Sequence, residues 1–288
     1  MGAWAGVIMN QRVLSIISIC RSNPAELRRT LASFSGLDFE LIETAIVDGS
    51  PGKECTAVAR EFPNVPSHYI HRPGCGLYHA MNIGIDGASG NALLFINSGD
   101  ALSDAERLNQ LILEYRNNIQ EKVLYGAHIQ EIKGHHFLIK APRIHSKDRL
   151  RNFPSHQAII LPATFCRTNK YDSSFRFLGD VVLMNQALVE LEHIRIDEPI
   201  AIVAHGGISS MPGSWKSVLR HYYEMLAVFD MGAGEKLTIL FQLCGRKIVA
   251  ETLGRERLEK IQLQRAIRRA ERRTETPSTR GARKQNEY

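Results

Sequence analysis

Three aspartates fall where this 288-residue chain would turn between one element and the next: Asp48, Asp100 and Asp180. A carboxylate in such a place can accept hydrogen bonds from a ligand N–H or hydroxyl, hold a hard cation through oxygen, or take a proton as a general base. Asp48 closes an apolar run and precedes Gly49-Ser50. It is placed to accept from the imide of a nucleotide base or from a ribose hydroxyl, although an Asx-turn is the simpler use of D-G-S taken alone. Asp100 follows Asn97-Ser98-Gly99 and offers the oxygen that Mg2+ or Mn2+ prefers. Its competing use is to cap a helix that starts near Asp104, a role Ser103 also fits. Asp180 stands immediately before a helix expected over 181–192, as its cap or as a usable base.

Asp100 ends the stretch that organises the chain, Arg72 to Asp100, RPGCGLYHAMNIGIDGASGNALLFINSGD. It reads as a loop, a short amphipathic helix, a buried strand (Ala92 to Ile96) and a polar tip. The strand is a continuous apolar run, as expected when both faces are covered. Its end delivers Asn97, Ser98 and Asp100 to one spot, and in open α/β sheets ligands bind beyond the carboxyl ends of the strands. Two histidines are softer candidates. His156 lies just ahead of a strand and His205 before Gly206-Gly207; either is a candidate ligand contact, although a histidine beside a core strand is more often packed and hydrogen-bonded than catalytic.

Elements that could position these groups follow from the pattern. Val13–Cys20 is a β-branched strand, and Asn23-Pro24 then starts a helix with Leu27, Leu31 and Phe34 at helical spacing. A strand over Leu41–Val47, a helix over Lys53–Glu61 and a strand near His68–Ile70 come next. Strands alternate with helices through short connections, which predicts a mostly parallel sheet covered by helices. Beyond it, Val123–Gly126 and Phe137–Ile139 read as strands around a Lys133-Gly134 turn, and 152–180 reads as loop-rich. A helix carries Met184, Ala187, Leu188 and Leu191, and a strand covers Ile200–Ala204. From Glu235 onward the pattern is helical. Trp215, Tyr222 and Tyr223 form an aromatic stripe of the kind that is usually core.

Composition is that of a soluble globular protein, 44% apolar and 23% charged. The net charge of +6 lies wholly in residues 255–288, where eleven Lys/Arg face five Asp/Glu; the rest holds 25 of each. The five cysteines are scattered without a CxxC pair, which favours a reduced, cytoplasmic setting over a disulfide framework or a zinc site. No window is apolar for long enough to span a bilayer, and the N-terminal apolar patch is too short for a signal peptide.

Taken together, Val47-Asp48-Gly49-Ser50, Gly76-Leu77-Tyr78-His79-Ala80-Met81-Asn82-Ile83-Gly84-Ile85, Phe95-Ile96-Asn97-Ser98-Gly99-Asp100, Ser155-His156-Gln157-Ala158 and Gly206-Gly207-Ile208-Ser209 resemble the inverting glycosyltransferases of family 2. The resemblance runs from about Val13 to Ser210 and is to the subgroup that makes bacterial exopolysaccharide and colanic-acid-type repeat units. It implies a GT-A fold, a Rossmann-like, mostly parallel sheet with a C-terminal helical extension. The implied domains are a catalytic unit over 1–234 (donor half about 13–118, acceptor half about 119–234), a helical extension over 235–273 and a disordered tail over 274–288.

The resemblance also implies roles. Asp48 would contact the base, and Arg72 and Asn82 would lie along the nucleotide and sugar. Asn97 and Asp100 occupy the D-x-D region, with Asp100 at the metal, Mg2+ or Mn2+; acids are replaced there by Asn97 and Gly99. Asp180 matches the base that deprotonates the acceptor hydroxyl. The donor would be a UDP-sugar or a GDP-sugar, the acceptor a saccharide or a lipid-linked saccharide. The basic tail would give a cytoplasmic enzyme peripheral contact with anionic lipid at the inner face of the membrane. A solvated surface helix is the plainer reading of that tail, and nucleic acid is disfavoured because the body is neutral. Two other readings compete: a nucleotidyltransferase, which would carry a glycine-rich loop where this chain has Arg21-Ser22-Asn23-Pro24, and a catalytically silent nucleotide-sugar-binding module.

Overall fold

The β-branched run after Val13 forms strand β1 (Leu14–Cys20), and every one of its residues is buried. The computed structural model describes residues 12–252 apart from 66, 133, 145–152 and 206–213, together with 260, 263–264 and 267–268. Asn23 caps helix α1 (Pro24–Ala32), its side chain accepting from the N–H of Glu26, with Pro24 in the first turn. Then follow β2 (Ile42–Asp48), α2 (Glu54–Arg60), β3 (His68–His71), α3 (Leu77–Gly87) and β4 (Ala92–Phe95). This alternation is the one the sequence predicts, to within a residue or two at each end.

Later elements depart further. A two-residue strand, β5 (Ala101–Leu102), leads into α4 (Ala105–Glu114), which Asp104 caps by accepting from Arg107 N. Asp100 is therefore not a helix cap. Strands β6 (Val123–Ile132) and β7 (His135–Ile139) form a hairpin longer than the apolar runs alone indicate. Within the region read as loop lie a 3-10 turn (His156–Ala158), β8 (Ile159–Pro162) and α5 (Ala163–Thr168). Helix α6 (Gly179–Glu190) begins before the expected start, so Asp180 lies inside its first turn, and Leu178 is its N-cap. Strand β9 (His193–Ala204) and helices α7 (Trp215–Val228) and α8 (Ala233–Thr252) follow. The basic helix expected over 255–273 falls largely outside the described residues, and the tail over 274–288 wholly so.

Among the described residues the strands join one sheet in the order β3-β2-β1-β4-β8-β6-β9-β5, with β7 on β6. Pairing is parallel from β3 through β4 and between β6 and β9, and antiparallel where β8, β5 and β7 join. Six strands thus point one way and those three point back. Alternate side chains feed two cores. Leu14, Ile16 and Leu94 meet Leu27, Leu31 and Leu108 on one face. On the other, Ile17, Leu93 and Phe95 meet Met81, Ile85 and Leu183. Polar side chains inside these covered strands, such as Ser15 and Glu43, are tied up by hydrogen bonds to each other, so groups free to meet a ligand are left to the strand ends. The parallel register sets Cys20, Asp48 and His71 in one row at the carboxyl edge.

Candidate active site

Asp48, at the end of β2, is fully buried, and both of its oxygens are in use. Oδ1 accepts from Ser50 N at 2.8 Å, the Asx-turn of a D-G-S sequence, and Oδ2 accepts from the Tyr69 hydroxyl at 2.5 Å. Ser50 Oγ in turn accepts from Ser22 N at 2.8 Å, which ties the loops after β1 and β2 together. The fold also gathers what sequence spacing does not show: a carboxylate oxygen of Asp48 and the sulfurs of Cys20 and Cys55 lie within 4.8 Å of one another. Burial, then the Asp48 charge, push the Cys20 thiol far above its usual range, so it is a protonated donor beside the acid. Arg72 is exposed, and its backbone N–H donates to the Asp48 carbonyl at 2.8 Å.

Asn97, Ser98, Gly99 and Asp100 form a tight turn after β4, closed by Asp100 N donating to Asn97 O at 2.9 Å. Thr30 of α1 pins it: its Oγ1 donates to Asp100 O at 2.7 Å and accepts from Gly99 N at 3.1 Å. Gly99 has φ +100, a conformation an L side chain adopts only under strain, and the Glu26 side chain lies 3.3 Å from where a Cβ would stand. That is the physical reason no acid stands at 99. The Asp100 carboxylate is 7% exposed and held from two sides, accepting from Ala204 N at 2.9 Å and from Gln157 Nε2 at 2.7 Å. Burial raises its pKa to about 6 despite these bonds and the positive charge of Arg29.

These residues fit a hard divalent cation. Among the described residues, Asn97 Oδ1 and Ser98 Oγ are buried without a hydrogen-bond partner. Unpaired buried acceptors are costly, and here two of them share a turn with a carboxylate whose charge burial disfavours. Such an all-oxygen set suits Mg2+ or Mn2+ rather than a thiophilic metal.

Asp180 is half-buried, its Oδ1 accepting from the Tyr78 hydroxyl at 3.1 Å and from Val181 N at 2.9 Å. Tyr78, from α3, stacks on Tyr171 at 5.6 Å, and its ring packs so closely on Gly179 that a Cβ there would sit 2.8 Å from Cε2. Phe95 stacks on His156 at 5.0 Å, and His156 Nε2 is 2.7 Å from the Tyr171 hydroxyl. Buried among rings, His156 has its pKa lowered by desolvation, against the pull of Asp180. It is a neutral part of the floor, 6% exposed, packed and hydrogen-bonded as a histidine beside a core strand commonly is.

Asn82 is likewise occupied, donating to Tyr171 O at 2.8 Å and accepting from Tyr171 N at 2.9 Å. One N–H and one lone pair remain for any ligand; its visible work is to fix Tyr171. His205 is exposed at the end of β9, next to the Ala204 N–H that binds Asp100. The fold therefore brings Asn97, Asp100 and His205 to one region. Consecutive residues of one turn then link two acids: His156 feels the charge of Asp180, and Gln157 holds Asp100. Tyr78, Ser98 and Gln157 stand inside the motifs quoted above without a role of their own. Tyr171 carries no local signal. Gln157 meets Asp100 across 57 residues of chain and Tyr78 meets Asp180 across 102.

Solved structures share this architecture. The chain resembles Staphylococcus aureus TarS, residues 1–349, in complex with UDP, at TM-score 0.55 and 16% identity over 81% of this chain and 71% of that one. It also resembles the mannosyltransferase PcManGT from Pyrobaculum calidifontis in complex with GDP-Man and Mn2+, at TM-score 0.52 and 10% identity over 95% and 79%. These likenesses establish the GT-A-like fold. Among curated proteins, a PGL/p-HBAD biosynthesis glycosyltransferase of Mycobacterium bovis (strain BCG / Pasteur 1173P2) is 36% identical over 92 residues, 31% of this chain and 35% of that protein. The Mycobacterium tuberculosis (strain ATCC 25177 / H37Ra) protein matches to the same extent. The match spans about a third of those relatives' length. Residues 15–168, more than half of the 288, match the family described as Glycosyl transferase family 2, and the chain belongs to that family.

Proposed function

We propose that this chain is an inverting glycosyltransferase that moves a sugar from a nucleoside-diphosphate sugar to a hydroxyl of a saccharide or lipid-linked saccharide, in polysaccharide biosynthesis of the exopolysaccharide type. The observation that carries this reading is the pairing of two unlike acids across the turn His156–Ala158. One acid, Asp100, shares its turn with two orphaned acceptors; the other, Asp180, stands apart with a hydrogen bond from Tyr78. A UDP-sugar is the first candidate donor and a GDP-sugar the second, because TarS is described with UDP and PcManGT with GDP-Man. The catalytic unit covers 1–234, donor half first, with 235–273 as a helical extension.

On this reading Arg72, Asn82 and Asn97 lie along the nucleotide and sugar, the buried Asp48 braces the loop after β2 behind them through Ser50 N, and His205 faces the diphosphate. Asp100, Asn97 and Ser98 would hold Mg2+ or Mn2+, which would supply positive charge toward the leaving diphosphate. Asp180 takes the proton as the acceptor oxygen attacks the anomeric carbon from the face opposite the leaving group. One displacement inverts configuration and needs no nucleophile from the protein. The Tyr78 hydroxyl orients Asp180, and Tyr171, stacked on Tyr78, fixes that ring in turn.

The test is a thermal-shift panel of nucleotide sugars with Mn2+, followed by release of the nucleoside diphosphate. Asp180→Asn should keep donor binding and lower turnover by roughly 10²–10⁴-fold. Asp100→Ala should abolish the dependence of nucleotide affinity on Mn2+. Full turnover in Asp180→Asn would remove that residue from the base role.

A further inference from the structure

Helix α7 reaches back over the segment that leads into α6. Glu224, buried at 5% exposure, accepts from Arg176 N at 2.8 Å through Oε1, and from Phe177 N at 2.8 Å and Leu178 N at 3.2 Å through Oε2. Arg220, one turn earlier, donates from Nε to Glu224 Oε1 at 2.9 Å and from Nη2 to the carbonyl of Ser174. His221 stacks on Phe177 with ring centroids 4.9 Å apart. Three side chains of one helix thus hold a single five-residue segment by a carboxylate, a guanidinium and a ring. Burial works against the Glu224 charge, but the bonds from Arg220 and the three backbone N–H groups outweigh it and hold the carboxyl below its usual range. Leu178, the last residue held, is the N-cap of α6 and receives no side-chain cap of its own; Asp180 follows two residues later.

We propose that Glu224 is a positioning residue for Asp180: by fixing the backbone of Arg176, Phe177 and Leu178, it sets where α6 begins and which way the Asp180 carboxylate faces. The inference rests on the reading of Asp180 as the base. A general base acts only within hydrogen-bond reach of the proton it removes, and a displacement near 1 Å can cost on the order of 10²-fold in rate. Neither Leu178 nor Gly179 has a side chain that could aim Asp180 locally. Tyr78 approaches Asp180 from α3, on the donor side, and Glu224 holds the backbone from the opposite end of the chain. The helix after β9 is on this account part of the catalytic apparatus without touching substrate.

The experiment is a double-mutant cycle. Glu224→Gln preserves shape but replaces one acceptor oxygen with a donor that clashes with the N–H groups it must meet. Turnover would be followed as nucleoside diphosphate released to water, using whichever of UDP-GlcNAc, UDP-glucose and GDP-mannose gives the largest thermal shift. The expected result is a kcat lower by about 10- to 100-fold with KM for that donor within about twofold. In an Asp180→Asn background the same change should cost little, because the two losses run through one group. Glu224→Asp, which keeps the charge, should recover part of the rate. An unchanged kcat, an equal loss in both backgrounds, or a KM that rises in step with the loss of kcat would overturn the proposal. If Glu224→Gln does not fold, Arg220→Ala enters the same cycle with the same criteria. Full turnover in Asp180→Asn would sink the base reading and this inference together, whereas an inactive Asp180→Asn beside an unaffected Glu224→Gln would sink this inference alone.

Discussion

Asp100 holds its proton more tightly in the folded protein than in the unfolded chain, since burial raises its pKa to about 6 from an ordinary value of 3.8. Stability from this group is therefore full below about pH 4 and is lost as pH rises through about 6. Its charged form costs roughly 3 kcal/mol at neutral pH, a penalty that a cation bound as proposed would offset. Two outcomes follow. Without metal, the wild-type protein should gain Tm between about pH 7 and pH 5 relative to Asp100→Asn, which cannot titrate there. Affinity for Mn2+ should fall by up to about tenfold per pH unit below about 6, as protons compete for the carboxylate. Calorimetric titration at the two pH values checks the second; equal affinity at both would take Asp100 out of the cation site. Gly99 belongs to the same scale. With φ +100 and Glu26 against it, position 99 rejects the second acid of a D-x-D sequence on backbone grounds, and the orphaned oxygens of Asn97 and Ser98 stand in the turn instead.

Elements meet at the site through close backbone approach as well as through long side chains. Helix α3 lays the Tyr78 ring on Gly179 at the start of α6, where a Cβ would come within 2.8 Å of the ring. Gly179→Ala should therefore push the ring and the first turn of α6 apart, costing about 1–3 kcal/mol of stability and disturbing Asp180 with it. Denaturant unfolding and turnover on the same sample check this. A stable variant with full activity would show that the packing has slack. Local signals did well where an element carries its own boundary marks. Asn23 and Pro24 start α1 as written, whereas α4 is capped by Asp104 and not by Asp100 or Ser103. They failed where an element is too short for a period to show: β5 has 2 residues and α5 has 6, and each is held by its neighbours rather than by its own pattern. The start of α6 was placed late for a related reason, since its N-cap is Leu178, and the carboxylate that holds the preceding backbone comes from α7.

At the scale of the molecule, apolar exposure is uneven. Of nine large apolar side chains exposed among the described residues, six stand on α7 and α8: Trp215, Leu219, Tyr223, Leu237, Phe241 and Ile248. The aromatic stripe expected to be core is in part surface, because the helices bury Val218, Glu224 and Leu243 instead. The sequence after them is basic, eleven Lys/Arg against five Asp/Glu. Exposed apolar side chains followed in sequence by positive charge would suit the surface of an anionic membrane, in keeping with the proposal of a lipid-linked acceptor. The full chain should sediment with vesicles containing phosphatidylglycerol at low salt, less at high salt, and less again as Phe241→Asp. Equal recovery with neutral phosphatidylcholine vesicles would refute an anionic surface. By itself the sequence determined the alternating strands and helices of the first hundred residues and the motifs that close them, because both are local: periodicity, caps and turns act within a few residues. It also brought forward Asp48, Asp100 and Asp180 as the acids to watch. Only the tertiary structure decided what each acid meets, since Gln157 and Ala204 reach Asp100, Tyr78 reaches Asp180 and Glu224 reaches the backbone before it across 46 to 104 residues of chain. Contacts of that span are set by packing of the two cores against the sheet, and no spacing in the sequence encodes them.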